Sequence, residues 1–424
     1  MPGALDSIRV LEFSQIIAAP FCGMLLSDMG AEVIKVEPPE GEAWRIFAQF
    51  IPLESKMFIS LNRGKKSLPL DISSPDAQRI VHKLIEDVDV VVVNYRPDVP
   101  ARFGIDYETL SAINPRLVYC ENTAFGRLGP DSYRPGYDII IQAMSGLMAS
   151  ENKVVNGVPQ VVSATAVADF ATGIMMAYGI TAALLAREKT GRGQKVEAAL
   201  LASALAVQTS SFTFIDSYDT GWLPGFLEQL EEARQRGAAW EEMAALRMGA
   251  MPTQAVGNIY YRTYKTKDSY MAVGCLSQSL RRKMAAALQI SDPRLQDPNL
   301  DLTNEEVRAK LIKLVEDVEA LFATRTTAEW LALLDAAGVP AGPVRFVQEL
   351  FDDPQVQAND LVVELEHPLA GPLRMVGPPL KMSDTPPRAQ SASPPLGQDT
   401  DAILGGLGYS VEEIEDLRSR GVTR

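Results

Sequence analysis

Along the first 125 residues, short unbroken apolar runs alternate with segments whose apolar positions recur every three to four residues. The runs IRVLEF (8–13), EVIKVE (32–37), SLPLDI (67–72), VDVVVVN (88–94) and RLVYCEN (116–122) predict strands. The segments APFCGMLLSDMG (19–30) and SPDAQRIVHKLIEDV (74–88) predict helices, the second with Ser74 as cap and Pro75 at its first position. Strands that are apolar throughout and separated by helices specify a parallel sheet covered on both faces. Ligands of such sheets sit beyond the carboxyl ends of the strands. That rule directs attention to 12–20, 37–45, 94–102 and 121–130.

Further along, a nearly continuous apolar stretch runs from Phe170 to Glu188 and ends in KTGRGQ, where Gly191 and Gly193 are stop and turn residues. Thr172, Gly173 and Gly179 suit a helix packed inside a protein better than one crossing a membrane. Asp169 stands alone at its head. The local reading is a helix cap, accepting orphan backbone N–H groups at the positive end of the macrodipole.

From about 224 the pattern changes. Charged amphipathic helix gives way to NIYYRTYKTKDSYMAVGC, a hairpin turning at Thr266 to Ser269, and then to helical patterns at 277–289 and 303–323. A second, smaller α+β domain is expected over 221–328, after a large α/β domain that begins with 1–220. The tail YSVEEIEDLRSRG carries a capping box, Ser410 with Glu413.

Composition narrows the chemistry. A chain of 424 residues that is 46% hydrophobic and 22% charged is expected to fold as two globular domains. Three scattered cysteines and no basic-then-apolar leader fit a reducing, cytoplasmic setting. The net charge of −14 argues against nucleic acid and against an anionic membrane as partners. His82 and His367 are the only histidines, and neither has metal-ligand neighbours at useful spacing, so no metal site is expected. No G-x-S-x-G elbow, no complete P-loop and no G-x-G-x-x-G occurs. The basic residues near the expected ligand edge, Arg45, Arg63, Lys65, Lys66, Arg96 and Arg102, lean towards an anionic ligand such as a phosphorylated nucleotide.

Several motifs together resemble one family, the family III CoA-transferases, which include formyl-CoA and carnitine CoA-transferases. The matching stretches are IRVLEFSQIIAAPFCGMLLSDMGAEVIKVEPPEG (8–41), LNRGKKSLPLDI (61–72), VDVVVVNYRPDVPARFGIDYETL (88–110), PGYDIIIQAMSGLM (135–148), ADFATG (168–173), REKTGRGQKVEAAL (187–200) and the tail from 396 to 422. The resemblance implies a Rossmann-like large domain joined by the small α+β domain. The segment 329–424 would be a linker and a return to the large domain, and two subunits would interlock as a homodimer. Assembly with a paralogous subunit is the alternative.

The same resemblance implies that Asp169 is a nucleophile, passing CoA from an acyl-CoA thioester to a free carboxylic acid through an anhydride and an aspartyl-CoA thioester. Cap and nucleophile are compatible roles. Coenzyme A thioesters would be substrates, with no permanently bound cofactor, and succinyl-CoA is the donor expected. CoA contacts carried over by resemblance are Ile17, Ala18, Leu70, Asp71, Ile72, Ser73, Asn94, Tyr95, Arg96, Arg102, Tyr137 and Asp138.

Two departures from formyl-CoA transferase stand out. Pro38 replaces a phosphate-contacting Arg, a role then expected of Arg45 or Arg63, and MGAMPTQAVGN (248–258) stands where that enzyme has a Gly-rich lid. An α-methylacyl-CoA racemase is the other enzyme class in this fold, but Tyr137 stands where those enzymes carry His, and an ordinary Tyr is a poor base near neutral pH. A non-catalytic subunit of a heteromeric transferase is the remaining alternative, which retention of Asp169 opposes.

Overall fold

Six short strands pair in parallel to form the sheet that carries the site: β1 (Arg9–Phe13), β2 (Glu32–Glu37), β3 (Lys65–Pro69), β4 (Val90–Val93), β5 (Val118–Thr123) and β6 (Lys195–Ala199). Their spatial order is β6-β5-β4-β1-β2-β3. The computed structural model describes residues 2–250, 257–297 and 299–424.

Alternate residues of each strand face opposite ways. Leu11, Phe13, Ile34, Val36, Val91 and Val93 join one buried cluster with the helices Pro75–Ile85 and Val411–Ser419. Val10, Val33, Val90, Val92, Val118 and Cys120 join another with α1 (Ala18–Asp28) and the 24-residue helix α3 (Val167–Thr190). Between them in sequence lies α2 (Asp138–Met144). Both faces of the sheet are therefore covered, as its apolar strands require.

By composition α3 is long and apolar enough to cross a membrane. In this fold Met176, Ile180 and Leu184 bury one side of it in the sheet cluster, while Ile174, Met175, Tyr178 and Leu185 stay exposed. Gly191, with φ 72°, ends it.

The chain divides into two units, one of Met1–Asp219, Gly237–Ala244 and Pro354–Arg424, the other of Thr220–Arg236 and Ala245–Asp353. Within the first, the chain's last residues return to the sheet edge. The N–H of Asp71 donates to the carbonyl of Val422 at 2.9 Å, and Leu70 bridges to Thr423. The second unit holds a three-stranded antiparallel sheet, β7 (Tyr261–Lys265), β8 (Tyr270–Gly274) and β9 (Ala341–Pro343). Its core stacks Tyr264 on Phe322 at 4.1 Å, beside Trp330.

The small unit thus extends past the expected limit of 328. Trp330 and Leu334 complete its core and Ala341–Pro343 adds a strand, so 329–353 does not belong to the return segment. Of the stretch 248–258, residues 251–256 lie outside the described residues.

Candidate active site

Two cavities open beyond the carboxyl ends of the strands. The first, about 300 Å³, is walled by Gln15 to Ile17 after β1, Asn94 to Pro97 after β4 and the end of β5, with Asp169, Tyr137 and Leu200 closing it. The second, about 430 Å³, is formed by 37–40 after β2, Leu70 to Ser73 after β3, Phe103 and Gly421. Tyr95 lines both.

The sequence-derived residues divide between them. Ile17, Asn94, Tyr95, Arg96, Tyr137 and Asp169 line the first cavity; Leu70, Asp71, Ile72 and Ser73 line the second. Ala18 is buried as the first residue of α1, next to Ile17 at its N-cap position. Arg102 lines neither cavity. It is exposed, its guanidinium 4.5 Å from the ring centre of Phe103, which does line the second.

Asp169 is the third residue of α3, not its cap, and the first-turn N–H groups are claimed by a different carboxylate. Oδ1 of Asp138 accepts the backbone N–H of Ala168 at 2.8 Å and that of Asp169 at 3.4 Å. Asp138 is itself fixed by the side-chain amide of buried Gln142, whose oxygen accepts the N–H of Val162 at 2.9 Å. Burial, and then the negative charge of Asp138, push the Asp169 carboxyl up to about 7. Burial therefore outweighs the positive end of the helix macrodipole, which favours the ionised form. With Asp138 occupying the N–H groups of Ala168 and Asp169, that first turn does not present them to a ligand.

The close approach of α1 to α3 follows from one glycine. A Cβ on Gly173 would stand 2.6 Å from the carbonyl oxygen of Ala18, so only glycine lets the start of α1 lie against the Asp169 turn. Ala18 and Ala168 accordingly share one small apolar cluster with Ile141 and Leu200.

The expected basic residues behave differently from one another. Arg45, Arg63 and Lys65 are buried and paired internally, so none stands in for the missing phosphate-contacting Arg. Arg45 clamps Glu37 with bonds of 2.8 and 2.9 Å, Arg63 forks onto Asp28 and Lys65 meets Glu12 at 2.9 Å. Lys66 is exposed but held by Glu32 at 2.7 Å. Arg96 remains at the first cavity, in an exposed pair with Asp98 at 3.0 Å. A second cavity-lining cation, Arg134, was not singled out from sequence; it pairs with Asp131 at 2.8 Å. Its place just ahead of the quoted PGYD motif was the available signal. No cluster of three or more His, Cys, Asp or Glu suited to a metal occurs among the described residues.

Comparison with known proteins agrees with this architecture. The profile of CoA-transferase family III matches residues 5–400. A succinyl-CoA:glutarate CoA-transferase of Mus musculus is 34% identical over 421 residues, 99% of this chain and 90% of that protein. A succinate–glutarate CoA-transferase of Agrobacterium fabrum is 33% identical, covering 95% of each. The crystal structure of a CAIB/BAIF family protein from Brucella suis superposes with a TM-score of 0.73 at 29% identity, covering 96% of this chain and 100% of that one. The chain belongs to CoA-transferase family III, and it is a CoA-transferase.

Proposed function

We propose that this enzyme moves CoA from an acyl-CoA thioester to a free carboxylic acid with Asp169 as nucleophile. The observation that carries this reading is the position of Asp169, half-buried on the wall of the first cavity with a carboxyl of raised basicity. A more basic carboxylate is a stronger nucleophile once ionised, and a sheltered cavity protects hydrolysable intermediates from water.

The ionised Asp169 attacks the thioester carbonyl and expels the CoA thiolate, leaving an acyl-aspartyl anhydride. The thiolate attacks the aspartyl carbonyl, releasing the donor acid and forming an aspartyl-CoA thioester. An acceptor carboxylate then attacks that thioester, giving a second anhydride and free thiolate. Attack of the thiolate on the acceptor's carbonyl yields the new acyl-CoA and restores Asp169. No proton is gained or lost over the cycle.

CoA would span both cavities. The adenine end sits beside Leu70 to Ser73, the phosphates face Arg96 and Arg102, and the thioester reaches Asp169 past Asn94, Tyr95 and Tyr137. Helix starts leave N–H groups without partners inside the helix, so Ile17 and Ala18 are the donors assigned to the carbonyl oxygen. Succinyl-CoA is the donor and a dicarboxylic acid the acceptor class, a reading supported by the names of the mouse and Agrobacterium relatives.

The doubly covered parallel sheet supports a Rossmann-like reading of the large unit. A homodimer is part of the proposal, supported by exposed Ile174, Met175 and Tyr178 on α3 and Ile139 on α2. Cytoplasmic residence accords with three free, buried cysteines.

The test combines turnover with trapping. Incubation with succinyl-CoA and glutarate should give glutaryl-CoA, and hydroxylamine added during turnover should modify Asp169 alone. Transfer without any adduct at Asp169 would remove the mechanism; no new CoA ester across a panel of dicarboxylates would remove the substrate class.

A further inference from the structure

Among the described residues eight non-glycine positions have positive φ, and Ile16, at φ 72°, is the only β-branched one. That conformation is unfavourable for a β-branched side chain and persists only where neighbours over-determine it. Ile16 lines the Asp169 cavity, and its neighbours do hold it. Gln15 is clamped by Asn94 in both directions, N–H to Oδ1 at 3.1 Å and Nδ2 to carbonyl at 2.8 Å. Nζ of Lys35 donates to the carbonyl of Ser14 at 2.9 Å. The N–H of Ile16 itself donates to Oε2 of Glu42 at 2.8 Å.

Glu42 touches neither cavity. It is buried, its other oxygen 3.2 Å from Nζ of Lys35, and its own N–H donates to Glu37, which Arg45 grips. A buried ion pair is a poor source of stability, and its best-attested use is to fix one conformation among several. We propose that Glu42 is a positioning residue for CoA transfer. Its carboxylate keeps Ile16 in the left-handed conformation and so sets the Gln15 to Ile17 wall, and the first turn of α1, against Asp169.

If so, the need for Glu42 should vanish once residue 16 prefers positive φ unaided, as glycine does. The experiment is a double-mutant cycle read as kcat/KM for CoA transfer, with thermal unfolding of each variant alongside. Glu42→Ala should lower kcat/KM by about 30-fold or more, the scale of a misplaced reacting group. The same change made on Ile16→Gly should cost less than about threefold, the departure from additivity expected of coupled sites. Equal losses in both backgrounds would mean that Glu42 only neutralises Lys35, and would overturn the proposal. Should Glu42→Ala fail to fold, the double variant decides: recovery of folded, active enzyme by glycine supports the assignment and failure of both refutes it.

The activity arm rests on the transferase reading, whereas amide hydrogen exchange at residue 16 does not. Exchange should accelerate in Glu42→Ala with the remaining amides of the sheet unchanged, and an unaltered rate would refute the assignment even in a chain without transfer activity.

Discussion

Asp138 and Asp169 are joined through one helix turn: the carboxylate of Asp138 accepts the N–H of Asp169 at 3.4 Å and that of Ala168 at 2.8 Å. One acid therefore orders the backbone on which the other stands, and its charge adds to burial in raising the carboxyl of Asp169.

The first consequence is a pH profile. The proposed mechanism needs Asp169 ionised, so kcat/KM should rise as pH increases through about 7 and level off above it. Asp138→Asn keeps an acceptor for the helix N–H groups but removes the charge. The acid limb should then move down by roughly half a unit or more. An unmoved limb in that variant would mean that Asp138 does not act on Asp169 electrostatically.

Asp169→Asn should stop transfer, by about 10³-fold at least, while making the protein more stable at neutral pH. The folded-state pKa of about 7 lies above the ordinary 3.8, so across that window the folded chain holds a proton that the unfolded chain has lost. The contribution of this group is fully present below the lower value and lost as pH rises to the upper one. The melting temperature of Asp169→Asn should therefore match the parent near pH 4 and exceed it by roughly 2 °C or more at pH 8. Calorimetry at the two pH values measures both.

Arg45 and Arg134 should respond oppositely to truncation. Arg45→Ala breaks buried pairs with Glu37 and Glu54 and should cost about 3–5 kcal/mol in denaturant unfolding. Arg134→Ala should leave stability within about 0.5 kcal/mol, since its ion pair is exposed, and raise the KM for acyl-CoA.

Gly173→Ala drives a methyl group into the carbonyl of Ala18, and either α1 or α3 must shift. We expect destabilisation of about 1–3 kcal/mol, as for overpacked cores, with a fall in kcat. Stability loss with kcat intact would show that the α1–α3 approach is not needed for chemistry.

Much of this was legible in the chain because it depends on local pattern. Five strands of the large sheet, Ser74 as a helix cap and the box of Ser410 with Glu413 follow from spacing alone, and the structure contains each of them. The strand Lys195–Ala199 escaped because it is an edge strand whose charged Lys195 and Glu197 interrupt the apolar run. The fates of Arg45, Arg63 and Lys65 escaped for a different reason. A basic residue in sequence does not declare its partner, and Asp28, which holds Arg63, lies 35 positions away. Asp169 itself was visible as an isolated acid ahead of an apolar run, but nothing local could show that Asp138 caps that helix in its place.

Residues 421–423 close the edge of the second cavity, Gly421 by lining it and Val422 and Thr423 by pairing with Asp71 and Leu70. A chain cut before Gly421 would therefore keep all six strands of its large sheet and lose one border of the second cavity.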